Sequence, residues 1–214
     1  MAVSGRKSAL TAAAAMFCLA ILLSAATIPP RPPAAHAQAQ QLSSQDVLLW
    51  FDPAHSKVHW TVDSTLHTVH GTFNLKSGSV QFDRESGKAG GEIIVYATSG
   101  ESGNSSRDEK MHKEVLQSDK FPEAIFRPAQ IEGKVASSGS SDFKVHGTFL
   151  LHGAPHEITA LVHAELSGDN WTGTCKFAVP YIQWGLKNPS NFLLKVQPIV
   201  NVDLEMTGSL KNAK

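Results

Sequence analysis

Apolar and polar residues alternate along much of the chain, and this period of two is the feature that most restricts its fold. Five apolar residues share one face of a segment near residue 160: Ile158, Ala160, Val162, Ala164 and Leu166. Four more do so near residue 203: Val200, Val202, Leu204 and Met206. Successive side chains of a strand point to opposite faces, so the pattern predicts strands with one apolar and one polar face. Such strands are typical of antiparallel sheets.

Turn-forming Gly, Asn, Asp and Ser residues separate the candidate strands. Ordered structure is expected to begin near residues 47–52. The predicted strands then cover residues 57–62, 68–76, 79–83, 91–97, 124–132, 142–152, 156–167, 172–180 and 195–210. Long strands joined by short turns predict an all-β fold, either a sandwich or a closed up-and-down barrel.

One segment indicates a helix. Ser106-Arg107-Asp108-Glu109 has the form of a capping box, and Met111, Val115 and Leu116 then fall on one helical face. Phe121-Pro122 is expected to end the helix. A single short helix in a β-rich chain suits a lid over one end of a barrel.

The N-terminal segment has the organisation of a secretory signal peptide. Arg6 and Lys7 precede an almost unbroken apolar run over residues 9–28, and Ala35-His36-Ala37 follows a proline-rich stretch as a small-residue cleavage site. The alternative is a transmembrane anchor that is retained, because the apolar run approaches the length of a spanning helix. We expect cleavage, no stable membrane anchor afterwards, and a periplasmic or secreted protein.

These boundaries divide the chain into a signal peptide (residues 1–37), a flexible leader (residues 38–46) and one domain (residues 47–210). Removal of the signal peptide takes away three basic residues and no acidic one, so the balance of 19 basic and 19 acidic residues becomes 16 against 19. No basic surface is indicated, and nucleic acid is not an expected partner. Cys175 is the one cysteine after residue 37, so no intramolecular disulfide is expected.

Motifs for catalysis or metal binding are not evident. Nine of the ten histidines follow residue 37, but no His-Glu-x-x-His pair occurs, and no Gly-x-Ser-x-Gly elbow marks a nucleophile. Cys175 alternates with Trp171, Phe177 and Val179, which indicates a buried small side chain. We therefore expect a protein that is not an enzyme, with no catalytic residue and no metal ligand.

A five-residue motif occurs twice, as Val69-His70-Gly71-Thr72-Phe73 and as Val145-His146-Gly147-Thr148-Phe149. Strand parity places Val, Gly and Phe of each copy on one face and His and Thr on the other. Glycine in such a strand is expected to allow a strong bend.

Several segments, in order, resemble the YceI-like family of bacterial exported proteins. They are Ser56-Lys57-Val58-His59-Trp60-Thr61-Val62 with the first motif copy, the Ser106-Arg107-Asp108 helix entry with Met111-His112, the Phe121-Pro122 pair ahead of Ile125-Phe126, and the second copy with Leu150-Leu151-His152-Gly153. The chain departs from the family pattern at Ser64 and Thr65, where members often have His-Leu, and at Phe149, where a Leu is usual. The stretch over residues 181–190 is similar to a subgroup signature.

The resemblance implies a lipocalin-like antiparallel up-and-down barrel of about eight strands with one short helix. It also implies an apolar cavity that holds a long-chain isoprenoid or similar lipid as ligand, with no other cofactor. The exposed edge of a sheet would allow a homodimer. The alternative function is a redox- or stress-related barrel whose histidines bind metal or haem and act on a quinone-like ligand.

Ten apolar residues are expected on the inner face, where each either contacts the ligand or fills the core: Trp60, Val69, Phe73, Phe82, Phe126, Val145, Phe149, Val162, Phe177 and Leu204. Arg107, Asp108, His112 and Trp184 are candidates for the cavity mouth, where they would meet a polar head group. Asp108 and His112 also fit an ordinary surface pair four residues apart on a helix. The stretch over residues 184–190 is either a flexible lip or partner-docking element, or a long hairpin turn packed under its own aromatic residues.

Overall fold

A computed structural model of the chain describes residues 46–212, which contain nine strands and one short helical segment. The strands are β1 (Asp46–Phe51), β2 (Lys57–Asp63), β3 (Thr68–Asp83), β4 (Ala89–Glu101), β5 (Glu123–Glu132), β6 (Gly139–Leu151), β7 (Ala154–Ser167), β8 (Asn170–Val179) and β9 (Val200–Asn212). Helix α1 (Ser105–Lys110) continues as a π-helical turn over Met111–Leu116. The predicted signal peptide, and the predicted leader apart from Asp46 in β1, lie outside the described residues.

The strands close into an antiparallel barrel. Each strand from β2 to β9 pairs with the next, and β9 pairs back with β2. β2 pairs with the N-terminal parts of β3 and β9, and β1 pairs with their C-terminal parts. β1 and β2 therefore occupy a single strand position of the barrel, which is interrupted at residues 52–56. The all-β, eight-strand up-and-down barrel with one short helix is therefore confirmed, and the sandwich alternative is excluded.

Several predicted strand boundaries are wrong. β4 extends to Glu101 and does not end at residue 97. The segments 68–76 and 79–83 form one strand, β3, because the polar Ser77-Gly78 pair lies at a register shift against β4 and not in a turn. The last strand begins at Val200 and not at residue 195. Before Val200 the chain makes only an isolated bridge, between Val196 and Ser64.

The helix begins and ends earlier than predicted. Asn104 is the N-cap, because its side-chain oxygen accepts a hydrogen bond from the Arg107 N–H at 3.0 Å, and Ser106 lies inside the first turn. At the other end Gln117 adopts a left-handed conformation (φ 49°), so the helical segment stops at Leu116 and does not reach Phe121-Pro122. No helix within residues 46–212 combines the length and apolarity needed to cross a membrane.

Candidate functional site

The barrel encloses an apolar cavity of about 500 Å³, a size within the range of protein sites for small molecules. The wall of the cavity comes from the inward faces of the strands, from the helical segment and from the connection between β8 and β9. Met111, Val115 and Leu116, predicted to share one helical face, all lie on this wall. The five alternating apolar residues of β7 and the four of β9 also line the cavity, as parity predicts.

The ten residues nominated for the inner face all lie on the cavity wall. Three of them are buried, namely Trp60, Phe82 and Leu204. The other seven are only half-buried although they point inward: Val69, Phe73, Phe126, Val145, Phe149, Val162 and Phe177. Inward-facing side chains that keep accessible surface indicate a hollow interior, because a filled core would cover them. That these residues contact a ligand stays a prediction.

Aromatic rings form part of the wall. Phe149 and Phe177 make an edge contact with ring centres 5.5 Å apart, and Trp60 lies 6.4 Å from Phe73. Such pairs stabilise their own geometry, so the aromatic part of the wall holds its shape around the empty space.

The repeated motif contributes to this wall in both copies. Val69, Phe73, Val145 and Phe149 line the cavity. A Cβ at Gly71 would overlap the indole of Trp60. At Gly147 a Cβ would lie 2.9 Å from the Phe126 ring. Each glycine therefore leaves room for an aromatic ring from a neighbouring strand.

The histidines of the two copies lie on the outer surface, as parity predicts. His70 hydrogen bonds to Thr61 at 3.1 Å, and His146 contacts Glu132 and Thr159, both at 2.9 Å. No three His, Cys, Asp or Glu side chains within residues 46–212 converge in a way that could hold a metal ion.

Two polar groups of the wall are buried without partners. Within the part of the chain that the structure describes, the indole N–H of Trp60 and the hydroxyl of Tyr181 have no hydrogen-bond partner. Burial raises the pKa of Tyr181 and raises that of Cys175, which also lines the cavity, to about 12. Cys175 is therefore a neutral thiol at physiological pH, and it lacks the thiolate needed for nucleophilic chemistry.

Of the four nominated mouth residues, Arg107 is the one on the cavity wall. Its guanidinium donates to the Ser102 hydroxyl at 2.7 Å and to the Ser102 carbonyl at 2.8 Å. Asp108 accepts a hydrogen bond from the same Ser102 hydroxyl. A head-group contact by Arg107 stays a prediction.

The other two nominated mouth residues also lie off the wall. His112 donates to the Gly100 carbonyl at 2.8 Å and lies 3.0 Å from the Ser118 hydroxyl. Trp184 stacks on His156 with ring centres 4.0 Å apart, and burial lowers the pKa of that histidine. Both side chains therefore hold neighbouring segments in place outside the cavity.

Pro189, within the stretch over residues 184–190 that was a candidate lip, lies on the cavity wall. Other parts of the wall were not foreseen from the sequence: Asn191, Leu194 and Val196 from the same connection, and Ser64 and His67 from the turn between β2 and β3. The one sequence signal for the connection is the apolar Phe192-Leu193-Leu194 run, which has no strand alternation. The stretch over residues 184–190 is packed in part through Leu186, which is buried against Tyr181.

An eight-strand antiparallel barrel around an apolar cavity places the chain in the class of lipocalin-like barrels. Within this class, the protein-family model described as "YceI-like domain" matches residues 50–208 of the sequence. The chain belongs to the YceI-like family.

Solved structures support the same fold. Burkholderia cenocepacia BcnA is similar with a TM-score of 0.59 and 16% identity, over 74% of this chain and 99% of that one. A polyisoprenoid binding domain from Saccharophagus degradans, implicated in plant cell wall breakdown, has a TM-score of 0.57 and 14% identity, over 76% and 98%. The Campylobacter jejuni YCEI protein has a TM-score of 0.51 and 18% identity, over 66% and 84%. None of the curated proteins compared with the chain matches it.

Proposed function

We propose that the protein binds a long-chain isoprenoid or a similar lipid in the barrel cavity and carries or sequesters it without chemical change. The observation that carries this proposal is the hollow interior, whose inward side chains are mostly apolar and in many cases only half-buried. Each CH₂ group that leaves water contributes about 0.8 kcal/mol, so a long hydrocarbon tail supplies affinity by burial alone. The polyisoprenoid binding domain of similar fold supports this ligand class.

We also propose a periplasmic or secreted location, supported by the signal-peptide pattern of residues 1–37. Closure of the barrel affects the expected homodimer. The strands from β2 to β9 are paired on both sides, so the sheet edge through which a dimer was expected is already occupied. A homodimer through another surface stays a prediction.

The first test is the identity of the bound molecule. Protein purified from its native host is extracted with organic solvent, and the extract is analysed by mass spectrometry. A prenyl or acyl species in near-stoichiometric amount is the expected result. Stoichiometric metal or haem together with an empty cavity would contradict a lipid carrier.

The second test places a charge in the cavity. We expect Phe149→Arg to weaken uptake of geranylgeraniol by at least about tenfold, because a hydrocarbon tail in the cavity would strip the guanidinium of water and offer it no hydrogen bond in return. Titration with a fluorescent competitor measures the affinity. Thr148→Arg is the matched control, because the Thr148 side chain points outward and donates to Glu157 at 2.8 Å.

An uncharged variant tests the same cavity without placing an arginine in the barrel interior, where it could prevent folding. Ile158 lies on the cavity wall and is half-buried, so Ile158→Trp adds apolar volume to the hollow without adding charge. We expect this variant to keep the circular dichroism spectrum of the barrel and to lose uptake. Unchanged uptake in folded Phe149→Arg and Ile158→Trp proteins would refute binding in this cavity.

A further inference from the structure

Three large apolar side chains are exposed on two loops at the same end of the barrel. Phe192 is 93% exposed and Leu193 is 82% exposed, both on the connection between β8 and β9. Leu66, on the turn between β2 and β3, is 74% exposed. Single exposed leucines are common, but several large apolar side chains exposed on neighbouring loops mark an interaction site.

The two loops are bonded into one surface. The Thr65 N–H donates to the Lys195 carbonyl at 2.9 Å, and the Lys195 N–H donates to the Thr65 hydroxyl at 3.3 Å. A bridge between Ser64 and Val196 extends the pairing. Leu66, Phe192 and Leu193 therefore form one feature, named here the apolar lip.

The exposure of Phe192 and Leu193 is fixed by a tight turn. The side-chain oxygen of Asn191 accepts hydrogen bonds from the N–H groups of Leu193 at 2.9 Å and Leu194 at 2.7 Å. The Asn191 N–H donates to the Leu194 carbonyl at 2.8 Å. The N–H groups of Asn191, Leu193 and Leu194 and the carbonyl of Leu194 therefore keep their partners when the turn enters an apolar medium.

The same loops reach the cavity. Asn191 and Leu194, which flank the exposed pair, line the cavity wall, and so does His67, which follows Leu66. The apolar lip thus lies one residue away from the cavity lining on both loops. The lip and the cavity lining are therefore continuous along both loops.

The charge of the loops is positive. Residues 64–67 and 186–199 contain two lysines and no acidic residue. Lys187 pairs with Glu114 at 2.6 Å. The ammonium of Lys195, which lies two residues after Leu193, makes no hydrogen bond or ion pair within residues 46–212. A lysine near an anionic lipid surface contributes about 1 kcal/mol to binding.

We propose that the apolar lip docks the barrel on a bilayer that contains anionic phospholipid. Phe192, Leu193 and Leu66 enter the boundary between head groups and acyl chains, and Lys195 lies against the lipid phosphates. This surface rests on the proposed function, because docking there lets a lipid move between bilayer and cavity without crossing water.

Vesicle flotation tests the docking surface. Wild-type protein should float with vesicles of phosphatidylcholine and phosphatidylglycerol, and the Phe192→Ser/Leu193→Ser variant should bind at least tenfold less. Leu161→Ser is the matched control, because Leu161 is 58% exposed on β7, outside the lip; its binding should equal that of the wild type. Lys195→Gln should reduce binding to the anionic vesicles and leave binding to pure phosphatidylcholine vesicles unchanged.

A second measurement separates this inference from the proposed function. Uptake of geranylgeraniol dispersed in detergent should be unchanged in the Phe192→Ser/Leu193→Ser variant, because neither residue lines the cavity. Wild-type protein that takes up the dispersed alcohol but does not float would overturn the docking surface and leave the carrier function intact. Failure of both uptake and flotation would overturn both.

Sedimentation velocity tests whether a second copy of the chain, and not a bilayer, binds the apolar lip. A wild-type dimer that the serine variant converts to a monomer would assign the lip to contact with a second copy of the chain, and this outcome would also overturn membrane docking. A wild-type monomer that floats supports it.

Discussion

Gly71 and Gly147 are two of the places where an aromatic ring lies directly against a strand backbone. Their common role explains why the Val-His-Gly-Thr-Phe motif occurs twice. Valine and phenylalanine face the cavity, and glycine leaves space for Trp60 in one copy and Phe126 in the other. Parity predicted which side chains point inward. The need for space at glycine was not predictable, because the ring comes from a different strand.

Gly71→Ala should destabilise the protein by about 1–3 kcal/mol, because the new methyl group overlaps the Trp60 indole and the Glu101 carbonyl. Gly90→Ala is the matched control on β4, where a Cβ would meet Gln81 at an ordinary 3.7 Å. The control should be neutral or more stable by about 0.4–1 kcal/mol, because alanine restricts the unfolded chain. Urea denaturation measures both; equal stabilities of the two variants would contradict the close approach at Gly71.

At the level of elements, the strand faces were predictable and the helix ends were not. Alternation in β7 and β9 predicts the inward set because a strand has a period of two whatever its neighbours are. Three consecutive residues, Asn104, Ser105 and Ser106, are all of types that make good N-caps. The choice depends on how the chain leaves β4, which local sequence does not determine.

Substitution of Asn104 and of Ser106 tests this assignment. Asn104→Ala should cost about 1 kcal/mol of stability, because the Arg107 N–H loses its hydrogen-bond acceptor. Ser106→Ala should stay within about 0.5 kcal/mol of the wild type, since Ser106 is exposed and lies inside the helix. Thermal and urea denaturation give the two values. A larger loss of stability in Ser106→Ala than in Asn104→Ala would instead identify Ser106 as the N-cap, as the capping-box motif predicted.

For the whole molecule, the sequence predicts an apolar interior but not whether that interior is empty. Hollowness depends on the summed volumes of side chains from every strand, and these meet only when β9 pairs with β2. The mouth was hard to predict for a related reason. Its residues come from the turn between β2 and β3 and from the long connection before β9, which are distant in sequence and have no periodic pattern.

A hollow barrel should be stabilised by its ligand. With geranylgeraniol free at about one hundred times its dissociation constant, the free energy of unfolding should rise by about 2.7 kcal/mol. Differential scanning calorimetry should show a higher Tm for the wild type and an unchanged Tm for Phe149→Arg. A ligand that binds without raising the wild-type Tm would place its site on the unfolded chain or in aggregates, and not in the cavity.

The shared strand position of β1 and β2 has a consequence for the order of folding. Both segments pair with β9, so Lys57 meets Glu205 and Trp50 meets Ser209 across almost the whole described sequence. The hairpins from β5 to β9 are local and can form early, whereas ring closure must wait for the C-terminal strand. Contacts of such long range slow folding into the millisecond-to-second regime. Until closure, β2 and β9 each present an unpaired edge, and this is the stage at which the chain is most exposed to intermolecular strand pairing.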